Sequence, residues 1–549
     1  MKKLTVLLIL VILFGVLLGL VAVRRIWRDI FRTQINSEST SITQSATSSM
    51  EDTSFTSSST QRSTETTYTS TTSSTEFSFW DLFGGEKNKD PRFGVNTIPE
   101  GFEEDISSSG VGWVSMSPLA IWDSIEPEEG EFHWMWLDNQ IKRIENLGLE
   151  PTIVLMPTSN WATPEAFQAR EEGSLGVCDL PEDIDSWRTF LRKMVERYDG
   201  DGENDMPQLK TPVLNWHLLE EWPTFWHDRG DSDPENPRNA ERYILLLQVT
   251  YEVIKEEIPD SRVILTGFAS NLLRLAAFAD GYIDDADGGV VNGKRLKRGV
   301  VRLLPKVRQF KADVEYILSN GAKYFDVIDI HLQDPKICIM EGKIKWIFDL
   351  MEKYGITKPV WSIESGGPFK RLAGDTSSRA GDPLFGEFTF KENAEFVVKM
   401  HILAFSSGLE RFQWSWKSKE DAYWDGPFLL MPLRDVNGNP KPAYYTYIML
   451  QYFMNSFREV SEVMNTDGVR VFQILQKNGK KVFVTWHDDG GKVSVDLSHI
   501  IPWSRIEVFE VITELQSNYE PILHYYGPED STYPIEICET PLFIVEAEA

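Results

Sequence analysis

Asn215-Trp216-His217-Leu218-Leu219-Glu220-Glu221-Trp222 is an apolar, strand-like run that ends in carboxylates. Pro359-Val360-Trp361-Ser362-Ile363-Glu364-Ser365-Gly366 repeats the pattern. Acids belong mostly on helices and exposed surfaces, not at the tips of buried strands. An acid at the end of a buried strand lies where α/β barrels place their chemistry. Two such acids on different strands set the first expectation of fold and mark a candidate pair.

Outward from these runs, the folded texture extends from Asp90 onward. Eight β-type runs recur: Phe93 to Asn96, Gly112 to Met116, Pro151 to Met156, Val213 to Glu221, Arg262 to Ala269, Phe325 to Leu332, Pro359 to Glu364, and Arg411 to Trp416. Between most of them lie stretches with apolar residues at helical spacing: Leu137 to Leu147, Ile184 to Tyr198, Ala240 to Ile258, Val307 to Leu318, Ile344 to Tyr354, and Asn393 to Phe405. Eight strands alternating with helices predict an α/β fold, a (β/α)8 TIM barrel over residues 90–458. The helical pattern then stops. Val471 to Gln476, the turn Lys477-Asn478-Gly479 and Val482 to Trp486 form a hairpin signal, because Asn-Gly supplies a residue with positive φ. Residues 459–549 are expected to form a small antiparallel β-sandwich.

The amino terminus differs. Leu4 to Val23 is a run of twenty residues without charge or Pro, long enough to span a bilayer as a helix. Lys2 and Lys3 precede it; Arg24, Arg25 and Arg28 follow, with Trp27 as an interfacial anchor. Residues 1–28 are expected to be a single-pass transmembrane anchor in the cell membrane, with a cleaved signal segment and a secreted product as the alternative. Residues 29–89 hold a Ser/Thr-rich tract that cannot bury enough apolar surface to fold, and are expected to form a disordered extracellular stalk. The orientation comes from the stalk, since positive charges flank the run on both sides.

The charge balance, 55 basic against 83 acidic residues for a net of −28, disfavours nucleic acid as a partner. Cys178, Cys338 and Cys538 have no metal-ligand spacing and an odd count; three unbridged thiols are expected, a Cys178–Cys338 bridge being the alternative. The eight His residues form no HExxH cluster, so neither a metal nor another cofactor is expected. Oligomeric state is not legible.

In a barrel, closure brings the ends of the fourth and seventh strands across one pocket. Glu221 and Glu364 then form a carboxyl pair, one to attack and one to protonate, as glycoside hydrolysis requires. The two roles need different pKa values. Trp161, Trp222, Trp414 and Trp416 lie at or just past predicted strand ends, where flat rings stack on sugars.

Several segments resemble the clan A glycoside hydrolases. Ile125-Glu126-Pro127-Glu128-Glu129-Gly130-Glu131-Phe132 with Trp136-Leu137-Asp138 resembles the stretch that follows their second strand. Asn215 to Trp222 resembles their "W-x-x-x-N-E-P" strand, and Lys358 to Gly366 their "K-P-x-x-x-T-E-x-G" strand. Lys441-Pro442-Ala443-Tyr444-Tyr445 and Thr540-Pro541-Leu542-Phe543-Ile544 resemble the last barrel helix and the closing strand of the attached sandwich. The resemblance covers residues 90 to about 545. It implies a retaining enzyme with Glu221 as acid/base and Glu364 as nucleophile, acting on an extracellular poly- or oligosaccharide. Glu220 and His331 would orient the sugar and the carboxylates. Three departures stand out. Glu220 replaces the Asn that holds the sugar 2-hydroxyl, Trp222 displaces the Pro, and Gln333 replaces the Tyr that steadies the nucleophile. A register slip would hand the acid/base role to Glu220. Strand alternation allows only one of Glu220 and Glu221 into the pocket. The rival expectation is a non-catalytic carbohydrate-binding or adhesion protein on a diverged barrel.

Overall fold

The computed structural model describes residues 78–547, apart from 86, 173–176, 228–231, 234–235, 373–382, 418–431 and 527–533. The expected membrane anchor and most of the stalk lie outside the described residues. Among the described residues, no helix is long and apolar enough to cross a membrane.

The eight expected runs all contain strands: β1 Asp90–Val95, β2 Val111–Val114, β3 Thr152–Met156, β4 Asn215–Leu218, β5 Arg262–Ile264, β6 Ile328–Asp329, β7 Val360–Ser362 and β8 Arg411–Gln413. Their pairing is parallel and follows chain order. β1 pairs with β2, and Trp113 bridges to Glu150 just before β3. β3 pairs with β4 and β4 with β5. Ile264 of β5 bridges to Val327 at the start of β6. β6 pairs with β7, β7 with β8, and β8 with β1. Parallel neighbours need a crossover between them, and helices supply most of these.

The helices follow from their apolar spacing. Met135–Asn146 buries Leu137, Ile141 and Ile144, one stripe of a 3.6-residue period. Ile184–Tyr198 starts where the Asp183 side chain accepts from the Asp185 N–H. Phe390–Ser406 opens with a capping box between Thr389 and Glu392. Arg238–Glu257, Pro305–Gly321 and Ile337–Lys353 complete the six expected helices. The helix Ser270–Asp280 had no separate expectation, because Ala276, Ala277 and Ala279 give it apolar residues nearly all round.

Beyond Pro442–Phe453 the architecture becomes antiparallel. Phe457–Thr466, Val469–Gln476, Lys481–His487, Leu542–Glu546, Ile506–Glu510 and Tyr525–Tyr526 pair in that order. The hairpin turn has Gly479 at φ +87°, and the Gln476 N–H donates to the Lys480 carbonyl at 2.9 Å. The sheet is sealed to the helical layer: Phe453 stacks on Phe543 with ring centroids 4.5 Å apart.

One boundary is corrected. The stalk was expected to reach residue 89, but Phe79–Phe83 is a short helix capped by Ser78. Its Phe79 and Phe83 are buried against Tyr445, Tyr452, Phe453 and Phe509. Phe79 and Phe83 lie about one helical turn apart, on one face of the segment, and dock it against these rings.

Candidate active site

The carboxylates gather around His331. β4 ends at Leu218, and the chain then turns sharply: Leu219 has φ +67° and Glu221 φ +38°. Such values are costly outside glycine and concentrate at functional sites. The turn is tied down by the Trp222 N–H, which donates to the Gly267 carbonyl at 3.0 Å. Because extended geometry ends before Glu220, strand alternation does not apply. Glu220 and Glu221 both reach the same imidazole, while only Glu221 borders the adjoining cavity.

Glu221 Oε1 lies 3.1 Å from His331 Nδ1, and Glu364 Oε2 lies 3.2 Å from that same nitrogen. Two oxygens in contact with one nitrogen are held within about 6 Å of each other. On the other side of the ring, Nε2 meets Asp329 Oδ2 at 3.2 Å and Glu220 Oε1 at 3.4 Å. Asp329 Oδ1 accepts from the Ile363 N–H at 3.0 Å, joining β6 to the residue before Glu364. Gln333 Nε2 donates to Glu364 Oε1 at 2.6 Å. The short parallel pairing of Leu332–Gln333 with Ser365–Gly366 sets that contact. Ser270 Oγ donates to the Gln333 carbonyl at 2.9 Å and accepts from the buried Lys343 ammonium, itself paired with Asp334.

Asp329 was absent from the expected site, and Gln333 was expected only as a departure from the Tyr that steadies the nucleophile. Both lie two residues from His331, so period-two spacing on the sixth run was the available signal. Gly267 was also missed. A Cβ there would overlap His331 Nε2 and Asp329 Oδ2, so the ring packs against bare backbone.

Carboxylates stand at both ring nitrogens, and only the imidazolium has a donor for each. Burial opposes the charge on His331, yet Asp329, Glu221 and Glu364 outweigh it and hold the ring well above the ordinary imidazole range. Burial pushes Glu364 above the usual carboxylate range, with Glu221 adding and both His331 and Gln333 opposing. Burial raises Glu220 further, reinforced by Glu364, Asp329 and Glu221 and opposed by His331. His217, behind Asp329, is driven down to about 4 by burial and stays neutral.

Solvent access separates the two acids on β4. Glu221 lines a cavity of about 770 Å³, together with Thr224, Asn271, Arg274, Gln333 and Phe385. Its side chain is 23% exposed, against 9% for Glu220. Neither Glu220 oxygen is accessible or hydrogen-bonded. The 3.4 Å approach to His331 has ion-pair distance without hydrogen-bond alignment, since that nitrogen faces Asp329 more closely. Glu220, His331 and Glu364 bring ligand atoms within 4.8 Å of one another, a spacing open to a divalent cation; Asp199, Asp201 and Asp205 do so at the surface.

The tryptophans need correction. Trp414 and Trp416 alternate with inward residues of β8 and face the helices. Trp414 stacks on His401 of Phe390–Ser406, and Trp416 packs on Tyr444 and Tyr447 while donating to Asp105. Trp222 is fully buried against Trp226 and Tyr243. None of the three offers a free ring face to a sugar. Trp161 is partly exposed, edge-on to Trp122, and donates to the Glu126 carbonyl at 3.0 Å within the segment around Ile125–Phe132. Cys178, Cys338 and Cys538 are all free thiols.

Comparison with known proteins adds independent findings. A glycoside hydrolase family 42 model, described as beta-galactosidase, matches residues 97–171, the span that contains Ile125 to Asp138. No curated protein matches by sequence. Among solved structures, the chain is similar to a family 39 glycoside hydrolase from the gut symbiont Bacteroides cellulosilyticus WH2. The identity is 14%, with 84% of this chain and 81% of that one covered, at a TM-score of 0.51. It is equally similar to a glucosidase from Croceicoccus marinus, at 10% identity, 84% and 98% coverage and a TM-score of 0.51. Family model and structural neighbours point the same way, and the fold of this chain is that of glycoside hydrolases.

Proposed function

We propose that the chain is a retaining glycoside hydrolase acting on an extracellular poly- or oligosaccharide, built as a (β/α)8 barrel followed by a β-sandwich. The barrel reading is supported by the parallel pairing that runs from β1 through β8 and back to β1. Further support is a small apolar cluster, Trp113, Ile264, Val327, Trp361 and Ile363, drawn from or beside β2, β5, β6 and β7 and apart from the main core. The single observation that carries the activity is the convergence of Glu221 and Glu364 on one nitrogen of His331. That proximity fits the short carboxyl separation of retaining enzymes, not the wider one that leaves room for water.

Glu364 attacks the anomeric carbon while Glu221, open to the cavity, protonates the leaving oxygen. Glu221 then takes a proton from water, which displaces Glu364 and restores the free enzyme. His331 holds both carboxylates, and Gln333 does for Glu364 what the Tyr does in the enzymes it resembles. The Leu4 to Val23 run and the Ser/Thr-rich tract support tethering of the enzyme outside the cell membrane. The adhesion reading loses its main support with the burial of Trp222, Trp414 and Trp416.

Glu364→Ala tests the pair. Turnover on a glycan panel should fall by about four orders of magnitude or more, with much less loss of binding. Azide or formate should restore part of the cleavage and give product of inverted stereochemistry, because the anion attacks once. An active Glu364→Ala enzyme, or rescue with retention, overturns the assignment.

A further inference from the structure

We propose that Glu220 acts as a neutral carboxylic acid that stands in for an amide, positions the nucleophile, and shares with the acid Glu221 in setting the alkaline limit of activity. The inference rests on the glycosidase reading and assigns this one chain-specific residue a state and a role.

The geometry carries it. Four carboxyl groups, Glu220, Glu221, Glu364 and Asp329, surround one imidazole. His331 supplies at most one positive charge. Three uncompensated charges in a buried cluster are costly, and proton uptake relieves them at the group least able to be solvated. Glu220 is that group. Glu221 and Glu364 keep some exposure, and Glu364 has the Gln333 donor. Asp329 has the Ile363 N–H. Glu220 has neither solvent access nor a hydrogen-bond donor at either oxygen.

Chemistry makes the neutral form useful. A protonated carboxyl has one O–H donor and one carbonyl acceptor, the functions an amide offers at the same place. A Glu364 oxygen lies within 4.8 Å, so a modest rotation brings the Glu220 hydroxyl into its reach. Glu220 is a positioning residue, because its occluded oxygens touch nothing in the cavity.

Deprotonation releases one proton to solvent and leaves an unsolvated anion beside Glu364. The groups facing Glu220 are Glu221 beside it in the turn, Asp329 at the end of β6, His331 just after it, and Glu364 just after β7. All but His331 either repel the new charge or leave it uncompensated. The folded protein therefore holds this proton more tightly than the unfolded chain does. The stabilisation is complete below the ordinary value of 4.5 and is lost as pH rises through the raised folded value.

The test compares the full-length protein with E220Q, and with E220N as a second neutral variant should E220Q fold poorly. Two readouts are used. In infrared difference spectra at neutral pH, wild type minus the variant should show the C=O stretch of a protonated carboxylic acid. In activity assays, the neutral variant should remain active, with its alkaline limb displaced upward by about one pH unit or more. A missing carboxylic acid band overturns the proposal whether or not the protein cleaves a glycan. An unmoved alkaline limb, or a folded neutral variant that is inactive at every pH, also overturns it. If the band is present but wild type cleaves no glycan, the neutral state stands and the glycosidase reading fails.

Discussion

Gly267 has no side chain, and His331 fills the space a Cβ would take. The imidazole in turn spaces Glu221 from Glu364. Gly267→Ala should therefore act at a distance from the substrate. Either the ring shifts or the segment after β5 does, at about 1–3 kcal/mol of strain. The expected outcome is a fall in kcat of about tenfold or more, larger than any change in KM, because the lost geometry matters most in the transition state. Steady-state kinetics on a cleaved glycan, with a melting curve as control, checks this. Unchanged kinetics would mean the ring position does not matter. At this scale the candidates Glu220, Glu221, Glu364 and His331 were singled out in the sequence because each ends or follows an apolar run, and the fold brings them into contact. What the sequence did not show is that Glu220 and Glu221 contact one imidazole together, since alternation assumes extended backbone and the positive φ at Leu219 and Glu221 breaks it. The tryptophans were misassigned because position at a strand end does not say which face a side chain takes; even-numbered residues of Arg411 to Trp416 face the helices.

At the scale of elements, β6 and β7 continue past their first pairing into the Leu332–Gln333 and Ser365–Gly366 pair. That extension is what brings Gln333 to Glu364. The eight runs and six helices were readable from period and length. The Ser270–Asp280 helix was not separable from the run before it, since alanines blur an amphipathic stripe. The Phe79–Phe83 helix escaped because it is short and adjoins a Ser/Thr-rich tract. It makes a distinct prediction. Removal of residues 1–77 should leave stability unchanged. Removal of residues 1–83 should destabilise the fold, because Phe79 and Phe83 each bury about 1.5–3 kcal/mol of apolar side chain. Denaturant melts of the two truncations measure the difference, and identical midpoints would show that the helix does not hold the core.

On the scale of the whole molecule, the antiparallel sheet covers the face formed by Pro442–Phe453, while the carboxylates gather after β4, β6 and β7. Scaffold and chemistry thus occupy different elements, and the substitutions at Glu220 and Gln333 leave the scaffold intact. The large negative charge, net −28, was read as a constraint on partners; inside the site four carboxyl groups face the single imidazole of His331. The sequence could not supply that balance, because it depends on which acids share one buried ring.

The most direct measurement is mass spectrometry of the protein after reaction with a panel of activated 2-deoxy-2-fluoro glycosides, which slow the second displacement of a retaining enzyme. The account predicts a single glycosyl adduct, on the peptide that contains Glu364, and no adduct in Glu364→Gln. An adduct on Glu220 or Glu221, or steady turnover of a natural glycan with no trapped species from any sugar that the enzyme cleaves, would contradict it.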